Sequence, residues 1–140
     1  MKKLLSLAML TALVAFPLSG CITQVGVNAK NSTADWNSMS GSLTVKYTDN
    51  TIEDVFVATK KGLDQLQFFR TGETLPKDGK SGSITVYARA IGDMNITVDI
   101  YTAKNTKTKK EWTQAVIKYG TWGNLQESQK IVSAISENLH

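Results

Sequence analysis

Residues 82–103 read GSITVYARAIGDMNITVDIYTA, two runs of alternating apolar and polar residues around Gly92-Asp93. In the first run Ile84, Val86, Ala88 and Ala90 fall on one side, and Thr85, Tyr87 and Arg89 on the other. In the second, Ile96, Val98 and Ile100 oppose Thr97, Asp99 and Tyr101. A period of two marks a half-buried strand, because successive side chains point to opposite faces. Gly-Asp between two such runs closes a hairpin. The stretch therefore predicts antiparallel strands at 82–91 and 94–103 that share one apolar face.

Reading outward from this pair gives the other elements. A polar, cationic loop covers 104–110, and a strand follows at 111–119. That strand alternates on both sides, with Ala115, Ile117 and Tyr119 opposite Trp112, Gln114 and Val116. Upstream, 68–75 reads as a short strand followed by the turn Pro76-Lys77-Asp78-Gly79-Lys80. Ordered structure is expected from Gly41, where Leu43, Val45 and Tyr47 alternate with Ser42, Thr44 and Lys46.

Two segments have helical spacing. Over 51–67, Ile52, Val55, Phe56, Thr59, Leu63 and Leu66 form one stripe. Thr51 with Asp54, or Asn50 with Glu53, has capping-box spacing. Gly62 lies mid-helix and is expected to allow close packing against the sheet. After Gly120-Thr121-Trp122-Gly123, Asn124 caps a second helix, with Glu127 placed to return the bond. Its stripe is Leu125, Ser128, Ile131, Val132, Ile135 and Leu139. The order β-α-β-β-β-β-α predicts an α+β two-layer sandwich. An antiparallel sheet of about five strands would carry two amphipathic helices on one face.

The N-terminus has a different character. Lys2 and Lys3 precede an apolar run at 4–16, which is too short for a bilayer span of about 20 residues but fits a signal peptide. Pro17 breaks the run, and Leu18-Ser19-Gly20-Cys21 follows. Small residues at 19 and 20 suit a signal peptidase, and the single cysteine of the chain stands directly after them. A thiolate there is the nucleophile that takes a diacylglyceryl group as a thioether. The expectation is a bacterial lipoprotein, with residues 1–20 a signal peptide cleaved between Gly20 and Cys21. Residues 21–40 would be a lipidated flexible tether, rich in Asn, Ser and Gly, and 41–140 a single domain. Trp36 and Met39 are expected to dock onto the domain, and Val25 and Val27 to lie near the membrane.

The C-terminal segment carries a resemblance. Ile117-Lys118-Tyr119-Gly120-Thr121-Trp122-Gly123-Asn124, with Ser128-Gln129-Lys130-Ile131 and Ile135, resembles the closing signature of a family of small bacterial lipoproteins of unknown function. That signature is a strand, a glycine-threonine-aromatic-glycine-acid turn and a Ser-x-x-Ile-x-x-x-Ile helix. Gly41-Ser42-Leu43, Val55, Ala58-Thr59 and Gly62-Leu63 resemble its opening strand and helix, so the likeness spans residues 41–139. Asn124 replaces an acidic residue and Gly62 an alanine. The resemblance implies an exported α+β lipoprotein and no particular activity.

Catalytic chemistry finds little support. The single histidine, His140, is the last residue, Cys21 is assigned to lipid, and no phosphate loop or metal-ligand spacing occurs. No catalytic residue, cofactor or metal is expected, and the chain is read as non-enzymatic. Losing Lys2 and Lys3 with the signal lowers the net charge from +4 to +2, which gives no strong claim on nucleic acid. Gly120 to Asn124 reads either as a sharp turn with Trp122 plugging the core, or as an anion site at a helix N-terminus. The lysine loop reads as a solvated connection or as a contact for anionic lipid. The expected role is a membrane-anchored accessory or binding module of the cell envelope, held through lipid on Cys21 and contacting envelope proteins. Ile22, where aspartate would mark inner-membrane retention, favours the outer membrane facing the periplasm. The expected binding face carries Tyr87, Arg89 and Tyr101. Alternatives are a ligand-binding, lipid-binding or enzymatic module using the open sheet face, with a pocket lined by Tyr47, Tyr87, Arg89 and Tyr101 or by the Trp112 region, and a surface-exposed interaction protein.

Overall fold

The computed structural model describes residues 22–27, 32–76 and 82–139; residues 1–21, 28–31, 77–81 and 140, and with them Cys21 and most of the turn expected at 76–80, lie outside them. The strands are β1 (Ile22–Val25), β2 (Ser32–Asn37), β3 (Ser42–Tyr47), β4 (Phe69–Thr74), β5 (Ile84–Ala90), β6 (Met94–Lys104) and β7 (Glu111–Tyr119). Helix α1 (Ile52–Gln65) follows β3 and α2 (Leu125–Glu137) follows β7. All strands join one antiparallel sheet in the order β1-β2-β3-β7-β6-β5-β4, so the fold is α+β.

The sheet has seven strands rather than five. The additional two, β1 and β2, occupy the segment expected to be a flexible tether. Local composition hides them, since Ser32, Asp35 and Asn37 are weak strand formers. Pairing at a distance creates them instead. Ala34 stands opposite Val45 and Trp36 opposite Leu43, and Ala34 is buried. Val25, Val27 and Trp36 pack against the core. Met39 does not dock as Trp36 does; it is 82% exposed.

Register explains the core. One row across the sheet runs Val86, Val98, Ile117, Leu43, Trp36, and the next runs Ile84, Ile100, Ala115, Val45, Ala34. These rows form one cluster with Val55, Ala58 and Leu63 of α1 and Ile131, Val132 and Ile135 of α2. Each fully buried aliphatic side chain there contributes about 1.5–3 kcal/mol. α1 touches β4 to β7, and α2 touches β3 and β7.

The helix ends follow the sequence closely. Thr51 Oγ1 accepts from Asp54 N–H at 3.2 Å, and Asp54 Oδ2 accepts from Thr51 N–H at 3.1 Å, so this is the capping box that forms. Asn124 Oδ1 accepts from Glu127 N–H at 3.0 Å. The Glu127 carboxylate, expected to return that bond, pairs with Lys130 Nζ at 2.9 Å. Gly62 packs on α2 rather than on the sheet. A Cβ there would lie 3.0 Å from the Ala134 carbonyl carbon, so the two helices meet at this point.

Candidate functional site

Facing away from the core, the sheet presents a polar surface. Tyr101 stands opposite Gln114, Asp99 opposite Val116 and Thr85, and Thr97 opposite Lys118 and Tyr87. β7 is central in the sheet, which places Lys46 of β3 beside Gln114. The Trp112 indole N–H donates to Gln114 Oε1 at 2.9 Å, and Gln114 Nε2 donates to Tyr101 Oη at 2.7 Å. Lys46 Nζ sits 4.5 Å from the centre of the Trp112 ring, a cation–π contact. Beside this group, Thr85 Oγ1 donates to Asp99 Oδ1 at 2.5 Å. Lys46, Tyr101, Trp112 and Gln114 are all half-buried, so the network is rigid yet reachable from solvent.

Tyr87, Arg89 and Tyr101 share this face but do not converge. Tyr87 and Arg89 are neighbours on β5, and Arg89 pairs with Asp93 at 2.7 Å. Tyr101 lies four residues further along β6 than the Thr97 that faces Tyr87, about 13 Å at ~3.3 Å per residue. Tyr101 belongs to the cluster of Trp112, Gln114 and Lys46 instead. Sequence reading missed Lys46 and Gln114 as members. The available signal was the two-sided alternation of 111–119, which puts Trp112 and Gln114 on the face opposite Ala115 and Ile117.

Two clefts flank the cluster. One of about 490 Å³ is lined by Ile52, Gly82, Ser83, Tyr101, Lys104 and Glu111, among others. The other, of about 360 Å³, is lined by Asn50, Thr51, Glu53, Glu111, Trp112 and Thr113, among others. A larger groove of about 700 Å³ between the helices is lined by Leu66, Gln129, Ser133 and their neighbours. Among the described residues no three His, Cys, Asp or Glu side chains are grouped to hold a metal ion.

Tyr47, counted among the pocket candidates, is on the core face and 1% exposed. Burial pushes its phenol well above the usual range, with the Ser136 hydroxyl acting weakly against that. Among the described residues no group meets its Oη in hydrogen-bond geometry, and the Ser136 hydroxyl donates instead to the Val132 carbonyl at 2.9 Å. Cys21 and Gly20 lie outside the described residues. Trp122 does not plug the core; it is 89% exposed. The glycines beside it do make the sharp turn, with φ of +76° at Gly120 and +83° at Gly123. The lysine loop is an ordered hairpin connection. Asn105 Oδ1 accepts from the backbone N–H of Lys107 at 2.9 Å and of Thr108 at 3.1 Å.

A family profile described as "Protein of unknown function (DUF3568)" matches residues 3–138. No curated protein matches the chain.

Proposed function

The chain belongs to this family of unknown function, and from that premise we propose that it is a membrane-anchored lipoprotein of the cell envelope, acting as a non-catalytic accessory or binding module. The observation that carries the reading is Leu18-Ser19-Gly20-Cys21, which places the chain's single cysteine directly after an apolar leader. The family match begins at residue 3 and so includes the leader and Cys21 as well as the folded region. Cleavage before Cys21 and acylation of its thiol give the anchor, and several acyl chains together hold far better than the marginal binding of one. Ile22 directs the protein to the outer membrane, with the domain in the periplasm. The helices form a second layer over the apolar face of the sheet, which leaves the polar face for partners. β1 and β4 are the sheet edges, and a register shift between Arg70 and Gly72 blunts pairing along β4. That favours the face over the β4 edge as the binding surface.

A second reading has specific support: the clefts beside Tyr101 and Trp112, at the end of the sheet where α1 begins, suit a small ligand. Affinity purification of the lipidated protein from crosslinked envelopes separates these readings. Cys21→Ser and Trp112→Ala variants serve as controls. The accessory reading expects a defined set of envelope proteins that is lost in both variants. A membrane-bound protein that captures nothing specific overturns it and favours the ligand.

A further inference from the structure

The two ends of the sheet differ in chemistry. β1, β3, β4 and β6 begin, and β2, β5 and β7 finish, at one end, called here the turn end. It carries the connections 38–41, 91–93 and 120–123, read Ser-Met-Ser-Gly, Ile-Gly-Asp and Gly-Thr-Trp-Gly. Asp93 is the one charged residue in these three turns, and it is paired with Arg89. Ile22 is 55% exposed, Met39 82%, Ile91 95% and Trp122 89%, and Met94 is partly exposed. Scattered exposed apolar residues need no explanation, but this set is physically joined. Ile22 pairs with Asn37, whose carbonyl accepts from Gly41 N–H at 2.9 Å. The Gly41 backbone touches those of Trp122 and Gly123. Gly120 N–H donates to Asn95 O at 2.7 Å, beside Met94.

The chain enters the sheet at this end. Ile22 is the first residue of β1, and Cys21 is one peptide bond before it. On the lipoprotein reading, acyl chains on Cys21 therefore emerge where the apolar turns are, with no tether between anchor and domain. We propose that the turn end is seated on the lipid bilayer, with Trp122, Met39 and Ile22 inserted at the interface. Trp suits that depth because its ring is apolar and its N–H polar. The lysine loop is then at the far end of β6, about 33 Å from Met94 at ~3.3 Å per residue. That is well beyond the Debye length of about 8 Å at physiological salt, so the loop is not held by the anchoring membrane.

The inference depends on the lipoprotein reading, and one preparation tests both. The mature protein is placed in phosphatidylethanolamine–phosphatidylglycerol vesicles whose lipids are brominated on the acyl chains, and Trp emission is followed in wild type and in Trp122→Phe and Trp112→Phe variants. Trp122 lies outside the core, so its replacement spares the fold. Trp36 emits in every variant, so the expected result is quenching in wild type and Trp112→Phe that falls markedly in Trp122→Phe, and equal quenching in all three overturns the insertion of Trp122. Absence of quenching in a chain that still partitions into detergent overturns the seating and leaves the lipoprotein reading intact. A chain that neither partitions into detergent nor binds the vesicles overturns both. Trp122 shielded from aqueous acrylamide without being quenched by brominated lipid assigns the apolar end to a protein partner or a second copy, and also overturns the seating.

Discussion

Two hairpin connections at opposite ends of the sheet are built with the same device and present opposite chemistry. Between β2 and β3, Asn37 Oδ1 accepts from the backbone N–H of Met39 at 2.9 Å and of Ser40 at 3.1 Å. Between β6 and β7, Asn105 Oδ1 accepts from Lys107 and Thr108 in the same way. Each asparagine satisfies two backbone donors and fixes a tight turn. One turn then holds a methionine out to solvent, and the other holds lysines. Backbone chemistry thus sets the shape, and the side chains at the tips set what each end can meet. The ends also differ in support. The β2–β3 turn leans on the β7–α2 turn through Gly41 and Gly123, both at positive φ. The lysine turn closes on itself, with Asn105 N–H donating to Lys110 O at 2.9 Å.

Removing the support should give the largest effect. Gly41→Ala puts a Cβ into the Trp122 backbone at a φ of +70°, where side chains are strained. It should cost about 2–4 kcal/mol in denaturant unfolding. Gly72→Ala meets open space and should change little by comparison. Equal losses at the two positions would remove the turn-to-turn contact from the account. The shared device predicts a smaller and matched pair. Asn37→Ala and Asn105→Ala should each cost about 1 kcal/mol, since each loses two hydrogen bonds in an exposed turn. A loss confined to one of them would show that the turns are not equivalent.

The smallest effect concerns the ion pair near the turn end. Asp64, in the last turn of α1, receives Arg70 Nε at 2.8 Å and Nη2 at 3.1 Å. The Arg70 hydrogen bonds hold the Asp64 carboxyl below its usual value of 3.8. A depressed carboxyl stabilises the fold above its unfolded pKa and loses that contribution as pH falls through its folded value. Stability should therefore drop below pH 3.8 in wild type more than in Arg70→Gln. Both groups are exposed, so the difference should stay under about 1 kcal/mol. Identical acid unfolding curves would rule the pair out as a contributor.

Much of this molecule was legible from local pattern, and the rest was not for identifiable reasons. Strand 111–119 has the bounds read from its two-sided alternation, and α1 begins at the capping box that Thr51 and Asp54 suggested. Those signals are local. β2 was missed because its strand character comes from pairing with β3, not from its own residues. Trp122 was misread because a large aromatic beside glycines looks like a core plug, whereas the Gly41–Gly123 contact fills that space with backbone. Tyr101 was recognised as a surface residue, but its link to Lys46 depends on β3 lying beside β7, a non-local fact.

The most direct test of the lipoprotein account is the mass of the N-terminal peptide of protein purified from membranes. The account predicts a chain that begins at Cys21 and carries a diacylglyceryl thioether. A chain beginning at another residue, or a free thiol on Cys21, would contradict it.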